Sequence, residues 1–267
     1  MADRSHKNNF DYKVAFLKAI EEGDPQQADR LARRLQAQNQ LFSGEFNRAI
    51  NDRNLLMQRY GIQDGLIEKL FDRRWVRRVN LVDVLAGDAE RFNASLRSTI
   101  EEIGFTPDPS PVHLQRTGAI KGSQRQIIDY GSFSPDIPII GQMEKILRHI
   151  LTKYSAFLLQ AGYPAEFVRY SSKITSFAAA TKDGGYHHSH CHSNAVFVVT
   201  YYVYVPESAN VQILFGSHRP FYPILPFATE RPVTGDFVLF PGFYPHSTTP
   251  HNSPDARINM GFDVAPL

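Results

Sequence analysis

One stretch, Tyr186 to Phe262, constrains the chain more than any other. It opens YHHSHCHSNAVFVVTYYVYV and closes, after a loop, GDFVLFPGFYPHSTTPHNSPDARINMGF. Seven of the ten histidines lie in it, interleaved with runs rich in Val, Tyr and Phe. Such runs, split by Gly, Pro and Asn, read as short strands. In an extended segment residues two apart share a side. Any two of His188, His190 and His192, just ahead of the run Val196 to Val205, are therefore placed to grip one ion. Neutral imidazole is the commonest protein ligand for a metal, and a mononuclear oxidase site takes two or three, usually with one carboxylate. His246 follows a second β-rich run, Asp236 to Phe240, and Arg257 opens a third, Ile-Asn-Met-Gly-Phe.

From Phe167 onward the candidate strands are Phe167–Tyr170, Ile174–Ala180, Ala195–Val205, Val211–Phe215, Arg231–Val233, Phe237–Leu239 and Arg257–Phe262. Their spacing predicts an α+β fold built on a double-stranded β-helix, a jelly-roll or cupin-like barrel, from about residue 165. Ahead of it, Pro138 to Gly162 is the longest apolar-periodic segment and is expected to back the sheet. Asp88 to Ile103 is a second amphipathic helix, and VNLVDVL before it reads as a short strand or docking segment. Residues 106–135, rich in Pro, Gly and Ser, read as a long binding loop or lid.

The N-terminal part is expected to be helical, with a domain division of 1–78 and 79–267. Helices over Phe10–Ile20 and Gln26–Gln40, broken by Gly23-Asp24-Pro25, have the look of a tetratricopeptide-style hairpin, and two more follow to Arg73. A single hairpin cannot stack into a solenoid. It would pack on the catalytic domain or on a partner, a second copy of the chain or another protein.

Composition narrows the class. A net charge of +2 gives no general attraction to nucleic acid. A single cysteine, Cys191, forms no intrachain disulfide and fits a reducing compartment. The charged N-terminus is no signal peptide, and no run approaches the length of a membrane helix, so a soluble cytoplasmic protein is expected. No dinucleotide fingerprint, phosphate-binding loop, nucleophile elbow or H-E-x-x-H is present.

The order His-x-His, spacer, Tyr-Tyr-Val strand, then GDFVLFPGFYPH and an arginine resembles a family of bacterial and phage 2OG-Fe(II) oxygenases, over about the last two thirds of the chain. There the pairs read roughly HxHP…SGxYYV and GDLVLFPSWLxH…R. The resemblance implies an Fe(II) site of His190, His192 and His246. It implies 2-oxoglutarate as co-substrate, decarboxylated to succinate while a C–H bond of a small metabolite, amino acid or peptide is hydroxylated. His192 stands where most such oxygenases carry Asp or Glu. A shifted register would pair His188 with His190 instead.

By the same resemblance Arg257 binds the distal carboxylate of 2-oxoglutarate, since a guanidinium fork matches a carboxylate bidentately. An ion pair with Asp255 or Asp263 is the competing use of that side chain. Tyr202 or Thr200 would assist the co-substrate. Arg219, His251 and His188 are candidates for the pocket mouth, and Cys191 is expected to point away. Two alternatives remain open: a three-histidine, cupin-type dioxygenase without 2-oxoglutarate, and a non-catalytic metal-binding jelly roll with a partner-binding helical arm.

Overall fold

The computed structural model describes residues 72–107, 124–126, 137–181, 185–187, 190–192, 194–216 and 226–267. The tetratricopeptide-like helices expected before Phe71 lie outside these residues, as do His188, Arg219 and most of the long loop.

A short turn of helix, Arg73–Trp75, leads into strand β1, Arg77–Asn80. The segment VNLVDVL divides there: its first two residues end β1, and Val82–Leu85 form a single helical turn, α1. Helix α2, Ala89–Ile103, buries Phe92, Leu96 and Ile100 on one stripe and stops at Gly104. Helix α3, Pro138–Gln160, starts on a proline whose missing N–H costs nothing in a first turn. It buries eight residues from Ile140 to Leu158.

The strands follow: β2 Thr106–Pro107, β3 Gln124–Gln126, β4 Tyr170–Thr181, β5 Phe197–Tyr204, β6 Ile213–Gly216, β7 Pro226–Glu230, β8 Asp236–Pro241, β9 His246–Thr248 and β10 Arg257–Pro266. They make two sheets. The larger runs β1-β8-β5-β10-β4-β3-β2 and the smaller β7-β6-β9, with antiparallel neighbours throughout. Phe215 of β6 meets Phe240 of β8 at 5.0 Å between ring centroids, so the small sheet faces the large one. This is the double-stranded β-helix expected.

Register assigns the two faces of the large sheet. Asn259, Gly261 and Asp263 of β10 lie opposite Tyr202, Thr200 and Val198 of β5. Arg257 lies opposite Thr181 of β4, and Val238 and Phe240 of β8 opposite Thr200 and Val198. These residues share the face turned toward the small sheet. The alternate set, among them Phe197, Val199, Tyr201, Phe237, Met260 and Phe262, is buried against the helices. There Tyr154 of α3 packs on Phe197, and Asn93 of α2 accepts from the Tyr201 hydroxyl at 2.5 Å and donates to the Val203 carbonyl.

Several boundaries differ from expectation. Arg231–Val233 is a loop, because Pro232 cannot donate to a ladder; the strand lies earlier, at Pro226–Glu230. Ala165–Phe167 is a helical turn, and β4 begins only at Tyr170. Gln124–Gln126, expected in a loop, adds to the sheet edge beside β4. Strand β1 pairs with β8. Trp75 is buried in the core, and its carbonyl accepts from the Tyr154 hydroxyl.

Candidate metal centre

The backbone first brings two histidines together. His190 and His246 form an isolated antiparallel bridge, each N–H donating to the other's carbonyl, at 3.0 and 2.9 Å. Paired residues in such a bridge project to one side, and the two rings stand 4.3 Å apart. The next turn is set by glycine. His192 N–H donates to the Gly242 carbonyl, and Gly242 N–H to that of Val196. A Cβ on Gly242 would lie 2.1 Å from the Ala195 carbonyl oxygen, so only glycine permits this approach. His192 thus reaches the same side two residues after His190, its ring 5.1 Å from that of His246.

One nitrogen of each of His190, His192 and His246 lies within 4.8 Å of the others, the spacing of a cluster that could hold a metal ion. His246 is buried, and its Nδ1 bonds the Tyr244 carbonyl at 3.0 Å. A carbonyl accepts only, so Nδ1 carries the proton and Nε2 keeps its lone pair. Burial, then the neighbouring His190 and His192, hold the His246 ring well below the ordinary imidazole range, so it stays neutral. His192 Nδ1 comes within 2.7 Å of Asp263 Oδ1. Cys191 turns away, its thiol buried and directed to the Phe243 carbonyl.

On the same face lies Arg257, 1% exposed. Its Nη2 donates to the Thr181 hydroxyl at 3.3 Å, and its Nε and Nη1 are buried with no hydrogen-bond partner among the described residues. Among the described residues no carboxylate pairs with it. Asp263 goes to His192, and Asp255 offers its backbone carbonyl to the His251 ring at 2.7 Å. A buried guanidinium with free donors is costly unless an anion completes it. Asn259, two residues along the strand, adds a buried Oδ1 that also has no partner among the described residues. Tyr202 faces it, and burial pushes the phenol up to about 12, although the Arg257 charge works the other way. Thr200 is on this face and half-buried. These orphaned groups fit a small polar anion beside a metal. His251, expected at the pocket mouth, is buried, and its Nε2 hydrogen-bonds the Asp255 carbonyl.

Sequence reasoning missed Asn259, and it named Asp263 only as a rival partner for Arg257. Residues 175–263 match the family described as "Putative 2OG-Fe(II) oxygenase". The chain carries a 2OG-Fe(II) oxygenase domain. The matched segment runs from β4 to β10, so it holds the whole candidate site and omits the helical lead-in. No curated protein matches the chain. Among solved structures it is similar to a Pseudomonas putida prolyl-4-hydroxylase, at 12% identity and a TM-score of 0.50, over 76% of this chain and 98% of that one. A Trichoplax adhaerens prolyl hydroxylase, solved with a peptide of hypoxia-inducible factor, gives 11% identity and a TM-score of 0.51, over 78% of this chain and 91% of that one. At these identities the likeness concerns the oxygenase fold alone. No helix among the described residues is long and apolar enough to cross a membrane.

Proposed function

We propose that this oxygenase domain holds Fe(II) through His190, His192 and His246 and 2-oxoglutarate through Arg257, and that it hydroxylates a C–H bond of its substrate. When bound, the metal and co-substrate supply the oxidising chemistry: with O2, 2-oxoglutarate becomes succinate and CO2, and one oxygen atom enters the substrate. The chain's part is to bind, orient and exclude water. The Tyr244 carbonyl fixes the His246 tautomer, and the pairing of His190 with His246 sets two of the rings at a constant separation. Phe240 and Phe215 lie beside His246 at 4.6 and 6.3 Å and keep that side dry. Arg257 keeps Nε and Nη1 without a partner among the described residues, and its neighbours Thr181, Thr200 and Tyr202 bring no negative charge to compete with an anion.

The observation that carries this reading is the buried, carboxylate-free Arg257 on the face that bears the three imidazoles. It also favours a co-substrate anion over the alternatives that use none. We further propose that the catalytic unit begins at or before Asp72, whose N–H donates to the Tyr244 hydroxyl. Anaerobic addition of Fe(II) and 2-oxoglutarate should give the weak visible charge-transfer band of the chelate, and Arg257→Ala should remove it while metal still binds. Absence of the band in the unaltered protein, or its persistence in Arg257→Ala, would overturn the co-substrate assignment.

A further inference from the structure

We propose that Asp263 is a positioning residue of the metal centre, and that the His192–Asp263 pair does the work a directly bound carboxylate does elsewhere. The inference rests on the three-histidine reading above and adds a fourth residue to it. Asp263 lies on the site face of β10, opposite Val198 of β5 and Thr175 of β4. Its Oδ1 comes within 2.7 Å of His192 Nδ1, though not along the line of a hydrogen bond. Arg257 lies on the same face of the same strand, buried and short of an anion, yet it does not pair with Asp263. Among the described residues His192 is the one basic side chain that does.

Two consequences follow from a carboxylate at that nitrogen. It can accept only, so once a small turn of the ring aligns the pair it favours the tautomer with the proton on Nδ1, which frees Nε2 as the ligand atom. It also brings a negative charge one ring removed from the metal. Three neutral imidazoles leave the charge of a divalent ion wholly uncompensated, whereas a site with a ligating carboxylate does not. The imidazole–carboxylate unit returns that charge while His192 keeps the ligand position. Outer carboxylates of this kind are worth about 10–100-fold in metal affinity. A merely structural contact, tying the loop after β4 to the C-terminal strand, would give the same distance without that dependence.

The test is a double-mutant cycle in the full-length protein, with Co(II) as probe and its dissociation constant read by competition with a fluorescent chelator. Asp263→Ala is expected to weaken Co(II) binding about 10–100-fold, and Asp263→Asn, which keeps an acceptor but no charge, by less. In a His192→Asp background the sign should reverse. A carboxylate then occupies the ligand position, Asp263 becomes a like charge beside it, and Asp263→Ala should leave Co(II) binding unchanged or tighter. Wild-type affinity in Asp263→Ala, or an equal loss in both backgrounds, overturns the proposal. His246→Ala separates that failure from failure of the centre itself: if it binds Co(II) as tightly as the unaltered chain, the three-histidine reading falls first.

Discussion

Tyr201 and Tyr202 are neighbours in one strand, both buried, and they inhabit different worlds. Tyr201 stacks on Phe237 at 4.3 Å and spends its hydroxyl on Asn93 of α2. Tyr202 lies opposite Asn259 and next to the charge of Arg257. The contrast holds for the whole large sheet. Along β10, Ile258, Met260, Phe262 and Val264 are buried apolar side chains facing the helices. Their alternates are Arg257, Asn259, Gly261 and Asp263. One face is saturated with packing. The other carries two guanidinium nitrogens and an amide oxygen that are without a partner among the described residues. Strand alternation lets a single backbone stabilise the fold with one set of residues and hold an incomplete polar site with the other.

The sharpest break of that comparison is Phe262→Ala. The side chain is fully buried on the helix face, so truncation should cost about 3–5 kcal/mol of stability. Denaturant unfolding measures it. A loss under about 1 kcal/mol, below the usual range for such a site, would mean that the helices do not press on this face as described.

On the site face Arg257→Met should act in the opposite direction. It removes a buried charge and deprives only the neutral Thr181 hydroxyl of one long hydrogen bond, so the metal-free protein should hold its stability or gain about 1–3 kcal/mol. Stabilisation by added 2-oxoglutarate should vanish in the same variant. A large loss of stability would show that Arg257 serves the fold.

Protons offer a third probe. The His246 ring is held below its ordinary value in the folded chain, so the unfolded chain takes up that proton first as pH falls. Stability of the metal-free protein should therefore decline below about pH 6.5, by at most about 1.4 kcal/mol per pH unit for this group. His246→Leu should flatten that part of the curve. An equally steep decline in the variant would assign the effect to other groups.

What the sequence displayed, and what it hid, follows the same division. His190 and His192 were legible because a period of two is visible in one dimension and histidine is rare enough to stand out. The long apolar periods of α2 and α3 were legible for a similar reason. The pairing of His190 with His246 was not, since it depends on which strands meet and in what register. Asn259 is silent in one dimension: an asparagine inside a strand announces nothing until burial leaves its oxygen without a partner. Asp263 stood as a possible partner of Arg257, six residues away. Both share one face of β10, but the loop pinned by Gly242 brings the His192 ring to the carboxylate instead. The short polar strands β3 and β9 carry no hydrophobic alternation, and they exist because a neighbouring strand offers its edge.

The smallest expected effects return to the adjacent tyrosines. Tyr201→Phe deletes the donor to Asn93 Oδ1 in a half-buried position against α2. The asparagine keeps its bond to the Val203 carbonyl but loses a partner for its oxygen, which should cost about 1–2 kcal/mol. Tyr202→Phe removes a hydroxyl for which no hydrogen bond is seen among the described residues, and the ring remains to fill the same volume. Its stability should stay within about 0.5 kcal/mol, the usual range away from such contacts. Any effect it has should appear as weaker 2-oxoglutarate binding, through the hydroxyl beside Arg257. Equilibrium unfolding of both variants, with and without 2-oxoglutarate, distinguishes the two faces. If Tyr202→Phe destabilised the metal-free chain as much as Tyr201→Phe, the site face would be part of the packed core, and the division between a saturated and an unsaturated face would fail.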